Sequence, residues 1–355
     1  MQSVVIIFTC VAATLLVMHI LILNSKKLKL LDHPGGRKDH PLVTPLVGGI
    51  SIAVVLVLSL AWLMPVHAMA MSIAIILLMA IGVKDDIHEV SPLPKLAVQA
   101  CACLVMIFVG HVELRSVGNL LGLGDIGLWI FVIPMTIFAS IGVINAINMA
   151  DGMDGHSGII IVVALIAYAF VAHDSGLWDQ YQTLLVLIGA MFAFLLLNLR
   201  TPWRKRAAVF LGDAGSMLMG FLLAWFAIDL SSSAHGLARP FPPICALWVV
   251  VIPLCDCVSL MVRRLMARVS PLKADRQHLH HFLLSRGLSV SQANLLMLMV
   301  STICAAVGVG GWKWGVPQPL LFAGFVALFV VYHFCISRYF SARDVMTTAM
   351  GRDAF

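Results

Sequence analysis

Long segments without charged residues alternate with short polar breaks along the chain. The segments that contain no Asp, Glu, Lys or Arg are 1–25, 40–83, 96–112, 126–150, 155–173, 180–199, 214–228, 240–255, 287–312 and 314–337. About 20 apolar residues cross the hydrocarbon core of a bilayer as a helix, and these segments lack the two-residue alternation of barrel strands. The pattern predicts about eleven transmembrane helices, because segment 40–83 is long enough for two that meet near Pro65.

The overall composition supports this interpretation. The chain is 61% hydrophobic and 11% charged, with a mean hydropathy of +1.00. A soluble domain contains ~25% charged residues, and its core has no room for this much apolar surface. We therefore predict an all-α integral membrane protein in which residues 1–355 form a single multi-pass domain.

The basic residues predict the orientation in the membrane. If the N-terminus lies outside, 20 of the 23 Lys and Arg residues fall in cytoplasmic segments, and the other side keeps Arg115, Arg239 and Lys313. Such an asymmetry is typical of the positive-inside rule. We expect an external N-terminus and a cytoplasmic C-terminus. The net charge of +6 is then a consequence of topology, and it requires no nucleic-acid partner.

Several carboxylates lie where predicted helices meet the cytoplasmic face. Asp85 and Asp86 end the third helix, and Asp213 begins the eighth in VFLGDAGS. Asp151 and Asp154 follow the fifth helix in NAINMADGMDGHSG, with no Lys or Arg nearby in the sequence. Carboxylate oxygens are hard ligands that suit Mg²⁺ better than Zn²⁺. A glycine-rich helix start also favours an anion, so a site for a metal and its phosphates is expected at this face.

Asp256 lies at the end of an apolar segment. Ionisable residues inside membrane helices are usually paired or functional. The sequence offers Arg263 or Arg264, about two turns further on, as the partner of Asp256.

The sequence DRQHLHH contains three histidines whose spacing does not match the HxxxH pattern of zinc sites. On a helix, only His278 and His281 would share a face, and His280 would not. A cationic clamp for phosphate groups is the preferred interpretation. A transporter is the alternative from another functional class, but its ionisable residues belong near the bilayer midplane rather than at one surface.

Five motifs occur in the same order as in a known enzyme family. They are HPGGRKDHPLVTPLVGG, KDD, NAINMADGMDG, FLGDAGS and SPLKADRQHLHH. Through them the chain resembles the polyprenyl-phosphate N-acetylhexosamine-1-phosphate transferases, the membrane family that includes MraY and WecA. The DRQHLHH stretch is similar to the WecA branch, whereas MraY has a longer histidine-rich loop.

The resemblance implies a reaction in the bacterial cytoplasmic (inner) membrane. UDP-GlcNAc and undecaprenyl phosphate would give undecaprenyl-diphospho-GlcNAc and UMP, as the first step of O-antigen or related surface glycan synthesis. The implied cofactor is Mg²⁺, with Mn²⁺ as an alternative. Another UDP-HexNAc as the donor, and a homodimer, remain open.

The resemblance also implies roles for individual residues. Asp213 matches the metal ligand of the family, and Asp151 is a second candidate ligand. The implied catalytic residues are Asp85, Asp86, Asp151 and His278. The implied substrate-binding residues are Asn148, Asp154, Phe210, Lys95, Arg276, His280 and His281, with Phe210 stacking on uracil. A single displacement is preferred, and a route through an aspartyl-phosphate on Asp151 or Asp85 remains the alternative.

Overall fold

A computed structural model describes residues 2–33, 43–232, 236, 240–270 and 277–349, with side chains up to residue 341. The predicted site residue Arg276 and most of the motif around residues 34–42 lie outside these ranges. The helices are α1 (Gln2–Asn24), α2 (Gly48–Leu63), α3 (Ala68–Ile87), α4 (Pro92–Phe108), α5 (Val132–Ala150), α6 (His156–Asp174), α7 (Trp178–Asn198), α8 (Gly212–Leu230), α9 (Pro243–Val249), α10 (Val251–Met266), α11 (Leu279–Ser285), α12 (Val290–Lys313) and α13 (Gln318–Ala349).

The helices confirm an all-α integral membrane protein. Within the described ranges, eight helices are long and apolar enough to cross a bilayer, and the bent pair α9–α10 makes a ninth candidate. Two shorter apolar helices, α2 and α4, complete a set that coincides in position with the predicted segments. The exact number of spans and the orientation stay predictions. Strands are limited to a two-residue antiparallel pair, Leu31–Asp32 with Thr44–Pro45, in the described chain.

The predicted break near Pro65 is confirmed. Helix α2 ends at Leu63, Met64 adopts a left-handed conformation with φ 48°, and α3 begins at Ala68. Proline has no backbone N–H to continue a helical ladder and disfavours helical geometry in the residue before it. The uncharged run 40–83 therefore contains two helices rather than one.

The predicted span over residues 240–255 corresponds to two helices with a sharp bend between them. Helices α9 and α10 are bent by 85° on either side of Val250. Pro253 explains the bend, because it has no N–H to donate to the Val249 carbonyl and its ring collides with that carbonyl in a continuous helix. Helix α10 then runs on to Met266, beyond the uncharged segment.

Helix α8 is the central helix of the bundle and contacts α2, α3, α5 and α6. Glycines allow the closest of these contacts. A Cβ at Gly49 of α2 would lie 2.3 Å from the Cα of Gly215, and one at Gly82 of α3 would lie 2.3 Å from the Cα of Ala214. Both contacts occur in the first turn of α8. The backbone of α8 is thereby fixed against α2 and α3 beside the first residues of the FLGDAGS motif.

Candidate active site

The acidic residues singled out from the sequence converge at one end of the bundle, where α3 and α5 end and α8 begins. Asp85 is buried there, and its Oδ2 lies 2.6 Å from Nζ of Lys95 at the start of α4. Its Oδ1 accepts a hydrogen bond of 2.7 Å from the backbone N–H of Val90. The structure thus joins two predicted site residues, Asp85 and Lys95, into an ion pair.

Asp86 anchors the start of α8. Its carboxylate accepts hydrogen bonds from the backbone N–H groups of Asp213 at 2.7 Å and of Ala214 at 3.3 Å. These donors have no partners within their own helix, and a negative charge at a helix N-terminus is favourable. Gly212 has φ +77°, and a Cβ there would lie 2.6 Å from Asp86 Oδ2. The predicted catalytic role of Asp86 stays a prediction, but its observed contacts fix the position of Asp213.

Asp213 lies between Asp85 and Asn148. The carboxyl groups of Asp213 and Asp85 are within hydrogen-bonding reach of one another. Asn148 donates from Nδ2 to Asp213 Oδ1 at 2.6 Å and to Ser216 Oγ at 2.8 Å. Two adjacent carboxyl groups repel one another when both are ionised, so this arrangement favours a bound cation or a shared proton.

The donor set fits a magnesium ion that is partly coordinated by substrate. Among the residues that the structure describes, no group of three or more His, Cys, Asp or Glu side chains is arranged to hold a metal. Mg²⁺ does not require such a group, since it usually keeps several waters and takes one or two carboxylates together with substrate phosphates. Asp213 with Asp85 or Asp151 meets that requirement.

Asp151 lies just after α5, next to this cluster. Burial raises the pKa of its carboxyl from 3.8 to about 7. A hydrogen bond from the Ser157 hydroxyl lowers the pKa, whereas the charges of Asp213 and Asp154 raise it. A nearby divalent cation would favour the ionised form of this carboxyl group, which otherwise titrates near neutral pH.

Asp154 is neutralised by a residue that lies far away in the sequence. Its Oδ2 accepts a hydrogen bond of 2.7 Å from Nε of Arg200, 46 residues further along the chain. Gly155 donates its N–H to Asn198 Oδ1 at 2.7 Å, and Asn198 Nδ2 donates to the Val209 carbonyl at 2.8 Å. The loop 151–155 is therefore fixed to the segment that leads into FLGDAGS.

Four histidines form a chain of ring contacts, the histidine array: His156, His278, His280 and His281. The ring of His280 lies 5.6 Å from that of His278, 4.2 Å from that of His281 and 5.8 Å from that of His156. The predicted separation of His280 from His278 and His281 is wrong. His278 precedes α11 as its N-cap, and only His280 and His281 lie in the helix.

The array reaches the acidic loop through His280. A Cβ at Gly152 would lie 2.4 Å from Nε2 of His280, so any larger residue there would force the imidazole ring to move. Burial lowers the pKa of His280, and the neighbouring His281, His156 and His278 lower it further. His280 is therefore neutral near pH 7 and contributes a hydrogen-bonding ring rather than a positive charge.

Asp256 has a different partner from the one predicted. Its Oδ2 lies 3.0 Å from Nδ1 of His278, and its Oδ1 accepts from the Leu279 N–H at 3.1 Å and the Tyr332 hydroxyl at 2.7 Å. Arg263 donates instead to the side chain and carbonyl of Gln277. The bend at Val250 and the length of α10 bring Asp256 to the start of α11, which the sequence alone did not indicate.

Phe210 lies at the edge of the same region. Its backbone accepts from the Gly48 N–H at 3.0 Å and donates to the Pro45 carbonyl at 2.9 Å. These bonds tie the start of α2 to the segment just before Asp213. The side chain is partly buried, and its predicted contact with uracil stays a prediction.

Sequence reasoning missed four polar residues of this region. Ser216 and Ser157 contact Asn148 and Asp151, and both follow their motif aspartates within about two turns, which was a usable signal. Arg200 and Tyr332 gave no local signal, because each acts on a residue far away along the chain.

Comparison with known proteins identifies the family. An undecaprenyl-phosphate alpha-N-acetylglucosaminyl 1-phosphate transferase of Haemophilus influenzae is 36% identical over 344 residues, covering 95% of this chain and 94% of its own. Proteins with the same name from Escherichia coli O157:H7 and Yersinia pestis are 34% and 35% identical, each over 88% of this chain and 85% of their own. The model of glycosyl transferase family 4 matches residues 68–231. The chain belongs to glycosyl transferase family 4.

The match confirms the resemblance drawn from the motifs. The segment of this glycosyl transferase family member that fits the family model runs from the start of α3 to the end of α8. It includes Asp85, Asp86, Asp151 and Asp213, the four carboxylates that meet at one end of the bundle. The histidine array extends beyond that segment, since His278, His280 and His281 follow it.

Proposed function

We propose that this protein transfers GlcNAc-1-phosphate from UDP-GlcNAc to undecaprenyl phosphate, giving undecaprenyl-diphospho-GlcNAc and UMP. The observation that carries the proposal is the convergence of Asp85, Asp151 and Asp213 with Lys95 at one end of the bundle. The relatives that match this chain over 85% and 94% of their own length are named for this reaction. The product would begin the synthesis of O-antigen or a related surface glycan.

The reaction is a phosphoryl transfer between two anions. A phosphate oxygen of the lipid attacks the phosphorus of the GlcNAc-1-phosphate unit, and the bond from that phosphorus to the UMP oxygen breaks. UMP leaves with the electron pair. The second pKa of a phosphate monoester is ~6, so the lipid phosphate is mostly a dianion and needs little help from a base. Positioning and charge neutralisation are the main tasks of the protein.

The residues around Asp213 are suited to these tasks. Lys95, held by Asp85, supplies a positive charge beside the carboxylates, and the N-terminus of α8 adds its helix dipole. Mg²⁺, or Mn²⁺ as an alternative, would be held by Asp213 with Asp85 or Asp151 and would offset the negative charge of the diphosphate and the departing UMP. Asn148 keeps the Asp213 carboxylate in place for that role.

The histidine array and Phe210 complete the proposed substrate site. His278, with Nδ1 held by Asp256, keeps its other ring nitrogen for a partner in the substrate site. His280 and His281, in ring contact beside the loop 151–155, extend this surface toward Asp151. Asp154, paired with Arg200, keeps that loop in shape, and Phe210 would stack on the uracil ring.

The proposed location is the cytoplasmic face of the bacterial inner membrane. The charge asymmetry supports an outside N-terminus and a cytoplasmic C-terminus, which would bring the acidic carboxylates to the cytosol, where nucleotide sugars occur. The chain would act as one multi-pass domain.

The test is a reaction with purified protein in detergent or nanodiscs. Undecaprenyl phosphate and Mg²⁺ are incubated in parallel with UDP-GlcNAc, UDP-GalNAc and UDP-MurNAc-pentapeptide, and UMP and lipid product are both measured. We expect turnover with UDP-GlcNAc. Turnover confined to another UDP-HexNAc would assign a different sugar, and lipid product from the pentapeptide substrate alone would refute the proposed substrate.

A further inference from the structure

The buried carboxylate of Asp256 joins three segments that are distant in sequence. Asp256 itself belongs to α10 and is 5% exposed. Its Oδ1 accepts from the Tyr332 hydroxyl of α13 and from the Leu279 N–H at the start of α11, and its Oδ2 meets Nδ1 of His278. The Leu279 N–H is one of the donors that a helix leaves unpaired at its first turn. Asp256 therefore caps α11 and holds the histidine that precedes it.

Helix α13 also holds the other end of α11. The hydroxyl of Tyr339 lies 2.6 Å from Ser285 Oγ, and its ring packs on Phe282 with 4.8 Å between centroids. Tyr332 and Tyr339 are two turns apart on α13, about 10 Å at the helical rise, and α11 is about as long. The last helix thus fixes both ends of the short helix that carries His280 and His281.

The contact with Asp256 determines which nitrogen of His278 carries a proton. A carboxylate only accepts hydrogen bonds, so Nδ1 is the protonated nitrogen and Nε2 is left for another partner. The His278 ring stacks parallel to His280, with an interplanar angle of 4°, and His280 packs against Gly152 beside Asp151. The orientation of His278 is thereby linked to the loop that borders the proposed site.

We propose that Asp256 and Tyr332 are positioning residues of the transfer reaction, which hold His278 in its Nδ1-protonated form and α11 in register with the loop 151–155. The inference rests on the proposed function for its activity readout, and on geometry alone for its spectroscopic readout. Neither residue touches the acidic cluster, so both act through the histidine array.

The substitution Asp256→Asn has a specific expected effect. Tyr332 and Leu279 both donate to Oδ1, so the amide oxygen takes that place and the amide nitrogen takes the place of Oδ2. An NH₂ group then faces Nδ1 of His278, which favours the opposite tautomer. Loss of such a supporting partner typically costs 10-fold to 100-fold. We expect kcat to fall by roughly 10²-fold with little change in KM.

Two further variants calibrate this effect. Tyr332→Phe removes one of the three donors to Asp256, and the loss of one such hydrogen bond predicts a fall in kcat of roughly 3-fold to 10-fold. Ser259→Ala is the matched control, because Ser259 Oγ bonds His333 Nδ1 at 3.0 Å between the same two helices, one turn away from Asp256. We expect Ser259→Ala to keep kcat within about 2-fold of wild type. A loss equal to that of Asp256→Asn would refute positioning and assign the effect to α10–α13 packing.

A double variant tests whether Asp256 acts through His278. In a His278→Gln background, Asp256→Asn should lower kcat by less than about 3-fold further, because the imidazole that Asp256 holds is already absent. An undiminished loss of roughly 10²-fold in that background would refute the proposal.

Nitrogen-15 NMR of histidine-labelled protein in nanodiscs gives a readout without turnover. The signal that disappears in His278→Gln should show an Nδ1-protonated ring in wild type and an Nε2-protonated ring in Asp256→Asn. If this shift occurs but no sugar nucleotide is turned over, the proposed function fails and the geometric part of the inference stands. If UDP-GlcNAc is turned over and the tautomer does not change, the inference fails and the proposed function stands.

Discussion

The substitution Asp213→Asn removes the negative charge of the candidate metal ligand but keeps the shape of its side chain. The amide oxygen can still accept the 2.6 Å hydrogen bond from Asn148. The hydrogen bond from the backbone N–H of residue 213 to Asp86 is unchanged. The negative charge beside Asp85 is lost. The variant should therefore insert and fold as wild type does, with an unfolding midpoint at least as high, since repulsion between the Asp85 and Asp213 carboxyl groups is relieved.

The expected loss of activity follows from that missing charge. Removing one preorganised group that stabilises developing charge costs ~10²-fold to 10³-fold in kcat at other sites. A divalent cation also prefers a charged oxygen to an amide oxygen. We expect Asp213→Asn to lose roughly 10²-fold or more in UMP release, with the Mg²⁺ concentration for half-maximal activity shifted upward.

Asp229→Asn is the matched control on the same helix. Asp229 lies near the other end of α8, roughly 24 Å from Asp213 at the helical rise per residue. It is buried, and it accepts a hydrogen bond of 3.0 Å from Gln180, which an amide oxygen can also accept. UMP release is measured for both variants over a Mg²⁺ titration, beside thermal unfolding in the same detergent. Near-normal turnover of Asp213→Asn at limiting Mg²⁺ would refute the reasoning and would indicate that Asp151 or Asp85 is the main metal ligand.

Three other predictions follow from the structure and the charge pattern. The pKa of Asp151 is 3.8 in the unfolded chain and about 7 in the folded protein, so the folded state binds a proton that the unfolded state has lost. In the presence of a chelator, the stability of the protein should therefore fall as pH rises from about 4 to about 7. Asp151→Asn should flatten this part of the profile of thermal midpoint against pH. An unchanged profile would contradict that pKa. Gly212→Ala should lower both activity and thermal midpoint, because φ of Gly212 is +77° and the new Cβ would collide with Asp86. Gly142→Ala is the control, because its Cβ would have open space around it, and it should leave both quantities near wild type. Equal effects of the two substitutions would show that the tight start of α8 is unimportant. A reporter fused after Phe355 should be cytoplasmic and a tag before Met1 external, as protease protection would show, and both ends on one side would overturn the predicted orientation.

The sequence by itself determined the membrane class, the positions of the apolar helices and the family motifs. These are local properties: a run of apolar residues is costly to expose to water wherever it lies, and Pro65 interrupts a helix regardless of its neighbours. The carboxylates at positions 85, 86, 151 and 213 were found for the same reason, since each stands out beside an apolar segment.

Tertiary structure alone decided how the polar groups are paired. Asp256 was assigned to arginines about two turns away on its own helix, but the bend at Val250 brings it to His278 and to Tyr332, 76 residues further along the chain. Asp154 is likewise neutralised by Arg200, which no local pattern indicated. A buried charge must find a partner to offset its desolvation, but which partner it finds depends on how distant helices pack, and that information is spread over the whole chain.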